Sequence, residues 1–169
     1  TPLKTVIAAA ELAARAGVRV ILNPAPAQPL PDRLLRRVSL LTPNETEAEL
    51  LTGVRVTSDV TAAKAAEHLL ARGVHAVVLT LGARGVLLAT SEGQRRIPGF
   101  RVKAVDTTAA GDVFNGALAV ALAEGRPLPA AARFACAAAA ISVTRLGAQP
   151  SAPTRREIDR FLLRALCPW

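Results

Sequence analysis

The 169-residue sequence has no methionine and no tyrosine, and with one tryptophan and four phenylalanines its aromatic content is only 3%. Few rings are therefore available to stack on exposed bases, which argues against single-stranded nucleic acid as a partner. Histidine and cysteine are also scarce, at two each. His68 and His75 stand alone, and Cys136 and Cys167 lie far apart with no metal-type spacing, which argues against a zinc site. The cysteines read as reduced thiols of a cytoplasmic protein. Acidic residues are outnumbered, 13 against 21 lysines and arginines, for a formal net charge of +8. The arginines are scattered, with pairs only at Arg36–Arg37, Arg95–Arg96 and Arg155–Arg156. The excess therefore reads as a solvated basic surface that attracts anionic small molecules, phosphates included, and not as a nucleic-acid stripe. Long apolar runs are missing as well. Although 51% of residues are hydrophobic, no stretch reaches the roughly 20 uninterrupted apolar residues of a membrane span. The richest run, "AARFACAAAAISV", is mostly alanine and suits close helix packing. No charged-then-apolar leader opens the chain, and its first residue is Thr1; this reads as processing or as a start partway along a longer protein.

What is present alternates between two periods. "LKTVIAAAELAARAG" has the spacing of a helix ending at Gly17, and "VRVILN" that of a buried strand. A proline-rich connection, "PAPAQPLP", leads to a short helix around "DRLLRR" and a strand "VSLLT". "PNETEAELLTG" predicts a helix from near Asn44 to Gly53. "SDVTAAKAAEHLLARG" predicts another, capped by Ser58 or Asp59, ended by Gly73, and with Val60, Ala63, Ala66 and Leu70 on one face. Strands "HAVVLTL" and "VLLAT" flank a turn "GARG", and "QRRIPGF" and "RVKAV" extend the sheet. Three helices follow in "DVFNGALAVALAEG", "LPAAARFACAAAAISVTRLG" and "TRREIDRFLLRAL". The length suits one domain with a real core. Strands alternating with helices predict an α/β fold, a mostly parallel sheet covered on both faces, with an antiparallel edge over residues 75–105.

In open α/β sheets, ligands collect where strand ends lead into helices, and three stretches sit at such places. In "DTTAAGDVFNGAL", Ala109, Ala110 and Gly111 bring backbone N–H groups to a helix start, where the dipole favours an anion. Such a nest can stabilise the charge on a transferring phosphoryl group, with Asp112 beside it as a proton acceptor. The plain alternative is an acidic residue in a helix's first turn. In "TPNETE", Asn44 and Glu47 have capping-box spacing, or place Asn44 near nucleotide phosphates and Glu47 near hydrated Mg²⁺. In "TLGARG", residues 80–85, two glycines after a strand form a hairpin turn or line a nucleotide. Three phosphate-compatible loops in succession favour the functional reading.

These segments resemble the ribokinase branch of the PfkB carbohydrate kinases. The resemblance rests on "DTTAAGDVFNGAL", "NPAPA", "LLTPNETEAELLTG", "TLGARGV", "RIPGFRVKAVDTTAAGD" and "RLGAQPSAP", in family order. It implies a three-layer α/β/α ribokinase-like fold and ATP-dependent phosphorylation of the 5-hydroxyl of D-ribose. By that similarity Asp112 is the catalytic base that meets the sugar hydroxyl, and Ala109, Ala110 and Gly111 form the anion hole. Asn44, Thr80, Leu81, Gly82, Ala83, Arg84, Gly85, Gly111, Asp112 and Cys136 are nucleotide-binding positions, Cys136 standing where the family often has a histidine. Glu47 orders Mg²⁺ through water, and Asp106, Thr108, Ser142, Arg145, Gly147 and Ser151 form a site for a monovalent cation, usually K⁺. The family's sugar-binding motifs and its lid, which mediates dimerisation, lie in an N-terminal half not found here. Residues 1–169 accordingly read as the C-terminal part of one such domain. The other readings are a different PfkB sugar kinase, such as a deoxyribokinase or fructokinase, and a truncated nucleotide-binding fragment without turnover. No membrane or nucleic-acid partner is expected.

Overall fold

The computed structural model describes residues 1–166. The chain divides into two compact units, the first made of Thr1–Leu81 with Leu87–Arg96, the second of Gly82–Val86 with the residues from Ile97 onward. Its order is α1 (Leu3–Arg15), β1 (Ile21–Leu22), α2 (Asp32–Leu35), β2 (Leu40–Leu41), α3 (Glu45–Thr52), α4 (Asp59–Ala71), β3 (Ala76–Thr80), a 3₁₀ turn (Gly82–Arg84), β4 (Gly85–Thr90), β5 (Gly93–Pro98), α5 (Ala110–Ala123), α6 (Leu128–Ser142), a second 3₁₀ turn (Gln149–Ser151) and α7 (Arg155–Leu166). The strands form one sheet in the order β1-β2-β3-β4-β5. β1 and β2 pair parallel, with Ile21 opposite Leu40, and β2 and β3 pair parallel, with Leu41 opposite Val77. The short links β3–β4 and β4–β5 cannot make a parallel crossover, so the far edge is antiparallel, as the sequence predicts.

In the first unit, Leu34, Leu35, Val38, Leu41, Leu69, Val77 and Leu79 belong to one buried cluster, each at 1% exposure or less. The helix ends follow their sequence signals. Gly53 ends α3 with φ 74° and Gly17 follows α1 with φ 69°, a left-handed conformation that costs glycine little. Ser58 caps α4 by accepting the N–H of Thr61. Arg72, just past α4, donates to the Asp32 carboxylate at 2.9 Å and to the carbonyls of Leu51 and Leu30 at 3.0 and 2.6 Å. One guanidinium thus ties the ends of three segments together.

Three sequence expectations change. β1 and β2 each span two residues, not the whole of "VRVILN" and "VSLLT"; at the start of the pair the Val20 N–H goes to the Ser39 hydroxyl at 3.1 Å, a side-chain bond that replaces a ladder bond. The buried stripe of α4 is Ala62, Ala65, Ala66 and Leu69. Val60 is 79% exposed, because the face that packs closely is the neighbouring one, built from smaller side chains. "RVKAV" forms no strand. Arg101, Lys103, Ala104 and Val105 are exposed, and the N–H groups of Val105 and Asp106 both donate to the Val143 carbonyl, at 2.7 and 3.1 Å. These bonds go to the end of α6, where a strand would need a ladder.

In the second unit α5 packs on α6. Ala131, Ala132, Ala135 and Ala137 of α6 are fully buried, as are Leu118 and Ala121 of α5, and Phe114 of α5 is buried too. Among the described residues no helix is long and apolar enough to cross a membrane.

Candidate active site

The predicted site residues fall into two groups, one in each unit. In the first unit, the Asn44 side chain accepts the Glu47 N–H at 2.8 Å, and Glu47 Oε2 accepts the Asn44 N–H at 2.8 Å. This reciprocal pair is the capping box that the sequence spacing allows. Glu47 is only 8% exposed; burial pushes its carboxyl above the usual range, and the hydrogen bond from Asn44 opposes that shift. Thr80, at the end of β3, donates its N–H to the Pro43 carbonyl at 2.9 Å and bridges to Asn44. The end of β3 and the start of α3 are thereby held together. Leu81 is buried at 2% exposure.

In the second unit, Gly82, Ala83 and Arg84 form a 3₁₀ turn, and the Gly99 N–H donates to the Arg84 carbonyl at 3.2 Å. A Cβ on Gly85 would lie 2.3 Å from the Ile97 carbonyl oxygen and 2.4 Å from the Gly99 nitrogen. The backbones meet so closely that only glycine fits, which explains the second glycine of "GARG" without any ligand.

The loop before α5 is built around Asp106. Its Oδ1 accepts the Thr108 N–H and its Oδ2 the Gly147 N–H, each at 2.9 Å. Hydrogen bonds from the Thr108 side chain and backbone and from Gly147 hold this carboxyl below its ordinary range. Ser142 and Ser151 are buried at 1% exposure, and their hydroxyls donate to the carbonyls of Ala139 and Ala148. Arg145 pairs with Glu157 at 2.5 Å. Glu157 in turn accepts from the N–H and hydroxyl of Thr154, capping α7. The side chains of Ser142, Arg145 and Ser151 are therefore occupied in building the loop between α6 and α7, and the Gly147 N–H joins that loop to Asp106.

Ala109, at the N-cap of α5, has φ 57° and ψ 14°, and no side chain caps the helix. It is the one non-glycine residue with positive φ among those described, a conformation that costs energy and clusters at functional sites. The Ala110 N–H turns back to the Thr107 carbonyl and the Val113 N–H to that of Ala109. Gly111 and Asp112 follow in the exposed first turn, and a Cβ on Gly111 would meet nothing within 4 Å. Packing therefore does not require a glycine there. Asp112 lines an open cleft of about 600 Å³, with Val113, Ala117, Phe134, Ala138 and Gln149 among the other walls. Cys136 is buried in α6 at 7% exposure. Cys167 lies outside the described residues.

Asn115 carries no motif signal beyond being the only polar side chain from Val113 to Ala123. Its Nδ2 donates to the Gly111 carbonyl at 2.9 Å. The Thr154–Glu157 box and the Arg145–Glu157 pair also went unmarked, although Thr-x-x-Glu before an apolar periodic run is a readable capping signal.

A model of the pfkB family of carbohydrate kinases matches residues 1–155. The ribokinase of Haemophilus influenzae is 53% identical over 165 residues, covering 98% of this chain and 54% of that protein. Among solved structures, Thermotoga maritima ribokinase matches with 48% identity and a TM-score of 0.87, over 96% of this chain and 54% of that one. Arabidopsis thaliana ribokinase, in a complex with ribose and ATP, matches with 35% identity and a TM-score of 0.91, over 95% and 53%. The chain belongs to the pfkB family of carbohydrate kinases and has the ribokinase-like α/β fold. It spans about half the length of the curated relatives it matches.

Proposed function

We propose that the protein to which these residues belong transfers the γ-phosphoryl group of ATP to the 5-hydroxyl of D-ribose, and that residues 1–169 supply its nucleotide positions, cation site and base. The observation that carries the reading is the start of α5: an N-terminus without a side-chain cap, reached through the left-handed Ala109 and opened by Gly111, with Asp112 in the same turn. Anions are favoured at such a place by the dipole and by N–H groups pointing outward. The ribokinase relatives supply the substrates, ribose and ATP being those of the Arabidopsis complex.

In the proposed reaction the Asp112 carboxylate accepts the proton of the sugar hydroxyl as its oxygen bonds to the γ-phosphorus. The bond from that phosphorus to the bridging oxygen breaks, and ADP leaves with the electron pair. The start of α5 holds the charge on the equatorial oxygens through the amides of Gly111 and Asp112, the Ala110 N–H of the expected anion hole being already given to the Thr107 carbonyl. Asn44, Thr80 to Gly85 and Cys136 are proposed nucleotide contacts. Glu47 fits a hydrated Mg²⁺, since its capping bond uses only Oε2 and Mg²⁺ is commonly held by one or two carboxylates with water and phosphate. Asp106, Thr108, Ser142, Arg145, Gly147 and Ser151 fit a monovalent cation held by carbonyls. Bound there, these cations supply fixed positive charge against the phosphates.

The test is ADP release from MgATP with K⁺, with and without D-ribose, by the complete protein and by this chain. Ribose-dependent release is expected from the complete protein. Release driven by 2-deoxyribose or fructose in place of ribose would overturn the choice of sugar, and none with any sugar would overturn the kinase reading.

A further inference from the structure

We infer that Asn115 is a positioning residue for the anion hole, acting through the peptide between Gly111 and Asp112. The inference rests on the phosphotransfer reading. The carbonyl of Gly111 and the N–H of Asp112 belong to one planar peptide group and point in opposite directions. Whatever fixes the carbonyl therefore aims the N–H. In α5 the Gly111 carbonyl faces along the helix and receives the Asn115 side-chain amide at 2.9 Å, in addition to the backbone donor that an α-helix supplies from four residues on. The donor assignment is unambiguous, because a carbonyl oxygen only accepts.

Beyond that helical backbone bond, little else restrains this peptide. Gly111 has no side chain, and a Cβ built there would touch nothing within 4 Å. No side chain caps the helix at Ala109. Meanwhile the other end of the Asn115 amide, Oδ1, is buried without a hydrogen-bond partner. An apolar residue of similar size would leave no such orphan acceptor, so helix stability alone gives no reason for asparagine. The geometry gives one: the side chain holds the Gly111 carbonyl back along the helix, and the Asp112 N–H is held outward where phosphoryl charge develops.

The experiment compares Asn115→Ala, Asn115→Leu and Asn115→Ser in the complete protein with Mg²⁺, K⁺ and D-ribose. Affinity is measured for ADP alone and for ADP with aluminium fluoride, a mimic of the transferring phosphoryl group. Transition-state mimics gain most from groups aimed at developing charge, so aluminium fluoride should tighten ADP at least about tenfold in the unaltered protein. Asn115→Ala and Asn115→Leu are expected to lose most of that gain while ADP alone binds as before. Asn115→Ser should recover part of it, because a serine hydroxyl reaches the carbonyl four residues back. A space-filling role would instead favour leucine and would treat serine and alanine alike. Should Asn115→Ala fail to fold, Asn115→Leu against Asn115→Ser makes the same comparison. Retention of the full gain in Asn115→Leu would overturn the positioning role and leave the kinase reading intact. No gain in the unaltered protein would overturn the anion hole itself, and this inference with it.

Discussion

Asp112 and Glu157 are both carboxylates in the first turn of a helix in the second unit, and they serve different ends. Asp112 is exposed and lines the open cleft, so its replacement costs the fold little. Asp112→Asn is expected to lower ribose-dependent turnover by at least about 100-fold, the scale of a lost general base, while ADP binding, followed by calorimetry, stays close to the original. Glu157 is committed to structure. Hydrogen bonds from the Thr154 backbone, from Arg145 and from the Thr154 hydroxyl lower its carboxyl to about 2, against an ordinary 4.5. The folded state thus binds its proton less readily than the unfolded chain, and between these values the unfolded chain holds more protons. The stability that Glu157 contributes is fully present above about pH 4.5 and is lost as pH falls toward 2. Thermal unfolding followed from pH 6 to pH 2 should show this loss, and Glu157→Gln should show a shallower fall over the same range.

At the scale of the element, the hairpin between β4 and β5 and the turn before it meet at Gly85 and Gly99. A Cβ on either would lie 2.3 Å from a carbonyl oxygen, that of Ile97 or of Ala83, and Gly85 has φ +93°. Gly85→Ala combines a backbone clash with a strained angle and is expected to destabilise the protein by about 3 kcal/mol or more, at the severe end of single substitutions; urea unfolding measures it. The sequence reads well where an element carries its own boundary chemistry. Asn44 and Gly53 bracket α3, and Ser58 and Gly73 bracket α4, because caps and left-handed turns depend on residues a few positions apart. Strand extent does not work that way. "RVKAV" alternates like a strand, yet a strand needs a neighbour, and its amides instead reach Val143. The site divides along the same line. The Asn44–Glu47 pair is legible because its members are three residues apart. The bond from Gly147 to Asp106 spans 41 residues, and no local pattern announces it. Asn115 was missed for a different reason: its partner is only one helical turn away, but an asparagine in a helix is an ordinary residue until its donor is seen to land on the peptide beside the base.

For the molecule as a whole, each unit carries its own group of proposed residues, Asn44, Glu47 and Thr80 in the first and Asp106, Ala109, Gly111 and Asp112 in the second. A ligand that engages the folded chain and not the unfolded one stabilises it by about 2.7 kcal/mol at a hundred times its Kd. MgATP is therefore expected to raise the Tm of this chain and to sharpen its unfolding transition; an unchanged transition at saturating nucleotide would count against nucleotide binding by these residues alone. The alanine packing of α6 sets a further property. Most protein interiors are harmed when a side chain shrinks and a cavity opens. Where Ala131, Ala132, Ala135 and Ala137 are fully buried, little remains to remove, and every common replacement except glycine adds bulk. The mutational tolerance of this helix is therefore lopsided: at these four positions growth, not loss, is the change the packing cannot absorb.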